Sequence, residues 1–569
     1  MRGAPSDRNL AWNVYGAGLD GIGLDGRPEL VAVPEPAPDQ LLVRVDAVGL
    51  CFSDVKLIRQ GGDHPKLYGR DLASDPTRLG HEATVTVTEV GEDLRDRYRV
   101  GDRLAVQPDI YVDGRSNAYG YTIPGGLIRY HLMGSEVLDA ADGAYVISVE
   151  DEAGYAAAAL SEPWACVEAA YTQRRRLEPK PGGIMWIIGS EGDTTSYEFG
   201  RGLGSASTIV LTDVSPTVVE LVEAERDPSA VVLVEDGATA GDIEEFVAEM
   251  TGGEGFDDVV MLAPSSPDVV AAVARSVAFR GTLNLVSDRP LEGDVDIDLG
   301  RIHYHYVAYV GSRGPDIAAS YGPDRNRCEL RPGGVAVFVG GAGPMGQMHI
   351  QRALQSPRGP TTLIASDFDA TRRRRLRERM EVLAKEAGRT LLIVDPAEED
   401  LGEIVRDASG GAGADDVVVL VPNADAMSEG ARLLGPDGML VLFAGVPVGT
   451  LAPLDLSAVF IGNAQFTGTS GSTLADQTRV LEKAGAGELE PERSLAAVAS
   501  MEYARDGIEA LVEGRFAGKI VIYPQLQGLP LLALEDLAEK HPEIGRHLAD
   551  DRSWTSAAEA ALIEAFADG

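Results

Sequence analysis

Cysteine is scarce in this chain: Cys51, Cys166 and Cys328 are the three among 569 residues. Scattered this widely, they exclude a disulfide framework and a four-thiolate structural zinc site, so any metal must use mixed ligands. Basic residues are also few. Fifty Lys and Arg stand against 89 Asp and Glu, a formal net charge of -39, which repels phosphate backbones and disfavours nucleic acids and anionic membranes as partners. No apolar run approaches the roughly 20 residues that cross a bilayer. The opening MRGAPSDRNLAW has basic residues but neither an apolar h-region nor a small-residue cleavage pattern. These absences make a cytoplasmic location the expectation, with no nucleic-acid or membrane partner. Length then asks for several domains, each large enough to bury its own core.

From Ala11 to Val106 short apolar runs alternate with turns, as in LLVRVDAVGL, ATVTVTEVG and DRLAVQP, the period-two pattern of a compact β domain. Tyr111 to Gly126 reads as a long loop. The Ala-rich stretch DEAGYAAAALSEPWACVEAAYTQ is helical, and its proline predicts a break that leaves Glu162 at the start of a new helix. From Gly182 the grammar becomes strand, glycine turn, helix, in GGIMWIIGSEGDTTSYEFGRGL. It recurs from Gly333, 151 residues on, in GGVAVFVGGAGPMGQMHIQRAL. TGGEGFDDVVMLAP matches SGGAGADDVVVLVP at an offset of 158, and YVGSRG matches FTGTSG at 157. Three landmarks in one order at nearly one offset indicate a duplication. Alternating β and α elements predict two successive doubly wound parallel sheets.

Gly341, Gly343 and Gly346 form G-x-G-x-x-G directly after the strand VAVFV, with Pro344 and Met345 between them. In that setting the glycines allow a tight turn and close approach to a pyrophosphate, which helix N–H groups then face. Asp367 ends the next strand, where a carboxylate accepts the ribose hydroxyls and repels a 2′-phosphate, favouring NAD over NADP. In the first repeat the turn reads Ser190, Glu191, Gly192, Asp193, Thr194, Thr195. Two fingerprint glycines are gone and two carboxylates have arrived, so this repeat is expected to be degenerate and to bind no dinucleotide, despite Asp213 at the corresponding strand end.

Cys51, His81, Glu82 and Glu162 supply thiolate, imidazole and carboxylate, a set suited to Zn²⁺ with a position left for substrate. Spacing alone does not bring them together, since an apolar Cys is more often packed and a Glu at a helix start more often a cap. The motifs GLCFSD, GHEATVTVTEVGEDL, VGDRLAVQP, SEPWACV and GGAGPMG resemble the zinc-dependent medium-chain dehydrogenase/reductase superfamily, the alcohol and polyol dehydrogenases. YGYTIPGG, SEP and PDRNRCELRPGGVAVFVGGAGPMG are similar to the L-sorbose-1-phosphate reductases within it. The resemblance implies Cys51, His81 and Glu162 as zinc ligands, with Glu82 an exchanging ligand or outer carboxylate. Asp54 would orient His81, Ser53 would bond the reacting hydroxyl, and Lys56 would stand at the usual histidine relay position. Phe52 replaces a glycine, and the four-cysteine structural lobe is absent.

The expected architecture is therefore α/β. It has a GroES-like β domain (1–180, resumed at 481–525), two tandem Rossmann-type sheets (181–330, degenerate, and 331–480, binding NAD), and a helical tail (526–569). The expected activity is hydride transfer between NAD and a secondary alcohol of a polyol, sugar or sugar phosphate. Transient oxidation with retained NAD, for epimerisation or elimination, and a non-catalytic NAD(H)-binding scaffold are the alternatives. Cys166 is expected to be a buried structural thiol, and His303 and His305, on one face of a strand, to serve packing or an interface. Family members pair two subunits through nucleotide-binding sheets, so two sheets in one chain suggest an internal pseudo-dimer, with further homo-oligomerisation left open.

Overall fold

The structure is a computed structural model that describes residues 9–112, 115–141, 143–235, 237 and 242–567. The first eight residues of the segment read for an export signal, and positions 113 and 114 of the long loop, lie outside them. The chain divides into two compact units, one of Met1–Ala169, Gly343–Gln355 and Gly471–Gly569, the other of Ala170–Ala342 and Ser356–Ser470. No helix among the described residues is long and apolar enough to cross a membrane.

The first unit is built on a mixed sheet ordered Val146–Ser148, Arg103–Val106, Glu82–Val90, Leu41–Leu50, Lys519–Tyr523, Leu495–Ser500 and Leu532–Ala533. Leu41–Leu50 is central and buried along nearly its whole length, which is why LLVRVDAVGL reads as an almost continuous apolar run. Its last residues pair with Glu82 on one side and with Ile520 on the other. Three chain segments far apart in sequence thereby end at one place. Helix α1 (Phe52–Gln60) starts immediately after this strand, with Cys51 as its N-cap.

Helix α2 (Tyr155–Ala169) differs from the expectation. It runs unbroken through Pro163, so Glu162 lies within a helix and not at the start of one. A mid-helix proline forfeits a hydrogen bond and crowds the preceding turn. Here thirteen of the fifteen residues are buried, and packing on all sides offsets that loss. Helix α3 (Pro344–Gln355) belongs to the same unit, as does the tail. The tail's last helix, α4 (Ser556–Phe566), sends the buried Glu559 to the start of α2, where its carboxylate accepts from the N–H groups of Tyr155 (2.5 Å) and Ala156 (2.8 Å) and from the Tyr523 hydroxyl (2.7 Å).

The second unit contains one twelve-stranded sheet. From one edge the first repeat contributes Val231–Glu235, Thr208–Thr212, Ile184–Ile188, Phe256–Leu262, Val277–Val286 and Ala308–Ser312. The second repeat continues in mirrored order with Gln465–Gly468, Leu434–Leu442, Ala414–Val419, Val335–Val339, Thr362–Ser366 and Thr390–Val394. Neighbours within each half are parallel; the halves meet antiparallel at Tyr309 and Phe466. A second antiparallel ribbon joins Val295–Asp298 to Leu451–Leu454. The duplication reaches individual ion pairs. Arg176 and the Lys180 N–H bind Asp258 while the Ile184 N–H binds Asp257; Arg327, the Arg331 N–H and the Val335 N–H repeat this on Asp416 and Asp415. The repeated DD dipeptide thus closes the base of each half-sheet.

Two expectations fail in this unit. The segment after Ile188 forms no α-helix before the next strand at Thr208. Asp193 accepts from the Thr195 N–H and hydroxyl and from the Tyr197 hydroxyl, a local closure that competes with helix initiation, and Gly200 and Gly202 follow. His303 and His305 are not strand residues either. His303 lies in the last turn of a short helix, Leu299–Tyr304, whose N-cap Asp298 accepts from the Arg301 N–H, and His305 is its C-cap. The strand begins at Ala308.

Candidate active site

The register of the first unit's sheet sets the site. Cys51 follows the last residue of the central strand, Glu82 opposes Gly49, and Lys519 precedes the partner of Leu50. His81 directly precedes Glu82. Ligand-capable atoms of Cys51, His81 and Glu82 lie within 4.8 Å of one another.

Asp54 orders two of these residues. Its Oδ2 accepts from the Cys51 N–H at 2.9 Å, and its Oδ1 lies 3.2 Å from Nδ1 of His81. With Nδ1 so engaged, Nε2 is the nitrogen available to a metal; Ser53 Oγ is 3.3 Å from it. Burial disfavours charge on His81, but the Asp54 carboxylate more than offsets this and raises its pKa. Two glycines allow the close fit. Gly80 adopts φ 96°, and a Cβ on Gly120, at φ 85°, would stand 2.8 Å from the His81 Cβ. Gly120 belongs to the long loop, which crosses directly over the histidine and is tied to it by the Gly126 N–H to Gly80 carbonyl bond (2.8 Å).

Glu82 is fully buried, and its Oε1 meets Nζ of Lys519 at 2.5 Å. Its Oε2 is buried without a hydrogen-bond partner. A desolvated carboxylate oxygen left bare beside a thiol and an imidazole fits a cation, so the residues present suit a zinc ion. Lys519 is the residue that sequence reasoning missed. Its strand, KIVIY, carries no motif.

Glu162 is not part of the tight cluster. Its Oε1 is 3.8 Å from the Cys166 sulfur, and it stands near enough to feel both His81 and Glu82. Burial pushes its carboxyl up to about 7, opposed by His81 and Lys519 and reinforced by Glu82 and Asp109. Burial, with Glu162 beside it, also pushes the Cys166 thiol up, although its side chain is half-buried and not fully enclosed. Beyond His81 stands Tyr121, with ring centroids 5.8 Å apart, and then His64 at 5.3 Å from Tyr121. Lys66 lies over the Tyr121 ring and pairs with Asp109 at 3.2 Å. Burial, then Lys66 and Lys56, bring the His64 pKa down to about 4. Lys56 itself is exposed on α1.

The glycine turn follows the strand Val335–Val339 and runs into α3, whose first residues are Pro344, Met345 and Gly346. The N–H groups of Gly340 and Gly341 bond to the Ser366 carbonyl at the end of the neighbouring strand (2.9 and 3.0 Å). A Cβ on Gly341 would meet the Phe338 carbonyl and the Ala365 Cβ at 2.9 and 3.2 Å. Asp367 comes next after Ser366, half-buried, accepting from the Asp369 N–H. The corresponding place in the first repeat has no helix N-terminus to offer a phosphate.

Residues 37–143 match the alcohol dehydrogenase GroES-like domain family. The chain is 25% identical over 307 residues to L-sorbose 1-phosphate reductase of Klebsiella pneumoniae, covering 51% of this chain and 73% of the relative. It is 23% identical over 552 residues to mannitol-1-phosphate 5-dehydrogenase of Aliivibrio fischeri, covering 94% of each. Among solved structures, 2R,3R-butanediol dehydrogenase from Bacillus subtilis superimposes with a TM-score of 0.52 at 16% identity, over 91% of this chain and 99% of that one. That likeness concerns the fold.

Proposed function

We propose that the chain is a member of the medium-chain dehydrogenase/reductase superfamily, a reading supported by its GroES-like match and its polyol-phosphate relatives, and that it is a zinc- and NAD-dependent dehydrogenase interconverting a secondary alcohol and a ketone on a polyol or its phosphate ester. The observation that carries this reading is the cluster of half-buried Cys51 with buried His81 and Glu82 and its bare carboxylate oxygen. When bound, zinc polarises the oxygen of the reacting carbinol or carbonyl and the nicotinamide exchanges the hydride. Cys51 and His81 would hold the metal, with Glu82 and Glu162 competing for the carboxylate position. Asp54 fixes the His81 tautomer, and Lys519 restrains Glu82 through one oxygen while leaving the other open. Ser53 would pass the hydroxyl proton outward, toward the exposed Lys56. Gly341, Gly343 and Gly346 would admit the pyrophosphate, with Pro344 and Met345 shaping the turn, and the Asp367 carboxylate favours NAD over NADP.

One feature supports a phosphorylated substrate: relatives named for sorbose 1-phosphate and mannitol 1-phosphate. The mirrored halves of the twelve-stranded sheet support an internal pseudo-dimer in which the degenerate repeat stands where a partner's nucleotide-binding sheet would. A panel of polyols and polyol phosphates followed by NADH absorbance, with metal analysis of the same sample, tests the reading. Stoichiometric zinc and multiple-turnover NADH formation are expected. Turnover undiminished after zinc has been chelated away would overturn it.

A further inference from the structure

Helix α3 follows the glycine turn, and helices in that position ordinarily bury an apolar stripe. This one buries Gln347, His349, Gln351 and Arg352, none of them more than 5% exposed. Buried polar side chains are costly unless partnered, and two of these have partners on segments that lead to the metal centre. Arg352 grips Glu168 with both arms, Nε to Oε1 at 2.8 Å and Nη2 to Oε2 at 3.1 Å, and Lys483 joins the same carboxylate at 2.8 Å. Glu168 lies on α2, six residues beyond Glu162. Gln347, in the first turns of α3, donates to the Ala517 carbonyl at 2.7 Å. Two residues on, Lys519 holds Glu82. Gln351 donates to the Glu490 carbonyl at 2.9 Å and steadies the same face.

We propose that α3 couples nucleotide occupancy to the carboxylate half of the metal site, with Gln347, Arg352 and Glu168 as positioning residues. One arm runs from Arg352 through Glu168 along α2 to Glu162; the other runs from Gln347 through Ala517 and Lys519 to Glu82. The two carboxylates that compete for the metal are therefore both fastened to the helix that begins at the dinucleotide turn. A bidentate guanidinium–carboxylate pair fixes orientation as well as distance, so a small shift of α3 on nucleotide binding moves Glu162 and Glu82 with it. Coupling of this kind is reciprocal: the metal changes NAD⁺ affinity by the same factor by which NAD⁺ changes metal affinity.

The inference rests on the zinc and NAD reading above, and the full-length chain tests the two separately. NAD⁺ dissociation constants are measured calorimetrically on zinc-loaded and zinc-stripped protein, and zinc affinity by chelator competition with and without saturating NAD⁺. In the wild type both ratios are expected to agree, at roughly fivefold or more. In the double variant Glu168→Gln/Arg352→Gln, which keeps a hydrogen-bonded pair but loses the charged fork, and in Gln347→Met, each of which cuts one of the two arms, the ratio is expected to fall by about twofold or more from the wild-type value while each ligand still binds, and in the triple variant to fall to about unity. A residue of purely structural importance would weaken both affinities and leave the ratio unchanged. Wild-type coupling retained in the variants, or a wild-type ratio of one, overturns the coupling alone. Failure of NAD⁺ to bind zinc-loaded wild type overturns the parent reading and this one together. Should the double variant not fold, Gln347→Met, which cuts one arm of an otherwise intact helix, decides the matter.

Discussion

At Asp54 a single carboxylate orders a thiol and an imidazole, by accepting from the Cys51 N–H and facing His81 Nδ1. Glu82 depends in turn on an absence: a Cβ on Gly49 would lie 2.1 Å from its Oε2. Gly49→Ala is therefore expected to displace Glu82, lowering stability by about 1–3 kcal/mol and metal affinity by roughly 10–100-fold, as read by urea titration and chelator competition. Lys519→Met leaves Glu82 buried without its cation, and breaking such a pair costs about 3–5 kcal/mol. Added zinc should recover much of that loss, since it supplies positive charge to the same carboxylate; thermal melts of the variant with and without zinc measure the recovery. Cys51 and His81 were legible because each sits in a local motif. Lys519 was not, because its partner is 437 residues away and a lysine opening a strand has no distinguishing context.

On the scale of elements, α2 shows how packing overrides local propensity. Pro163 predicts a break, yet burial on every side keeps the helix whole and places Glu162 inside it. The start of that helix is secured by Glu559 from the tail. Glu559→Ala strands two backbone donors and the Tyr523 hydroxyl, and is expected to cost on the order of 1–3 kcal/mol. Equilibrium unfolding would register it, with Glu559→Gln milder because the amide oxygen still accepts. The missing helix of the first repeat is the converse case. Its glycine-and-acid turn was readable as unfit for a pyrophosphate, but the loss of the helix itself depended on side-chain closures around Asp193 that no pattern encodes.

For the whole molecule, two measurements follow from charge and duplication. Burial holds the His131 and His349 pKa values down to about 3, whereas an unfolded chain protonates these imidazoles near their ordinary value of about 6.5. The folded state thus binds fewer protons between those limits. Their contribution to stability is complete above pH 6.5 and lost progressively as pH falls toward 3, by up to a few kcal/mol per imidazole. Buried carboxyls held high, such as Glu162 at about 7, act with the opposite sign, so the test is a difference: between pH 7.5 and 4 the denaturant midpoint of the wild type should fall more steeply than that of His131→Phe or His349→Leu, and parallel curves would refute the account. If only the second repeat binds nucleotide, calorimetry should give about one NAD⁺ per chain; two would contradict the degeneracy of Ser190 to Thr195.

The sequence by itself determined the motifs that carry the candidate ligands, the repeat of strand–turn–helix landmarks and the glycine content that distinguishes one turn from the other, because each is a short-range pattern of spacing and residue type. Tertiary structure decided what depends on register between distant strands and on complete burial. It joined twelve strands through Tyr309 and Phe466, drew Cys51, His81 and Glu82 together while leaving Glu162 outside the tightest cluster, and brought Lys519 against Glu82. Those contacts are set by the packing of segments hundreds of residues apart, and residue order alone carries no measure of that distance.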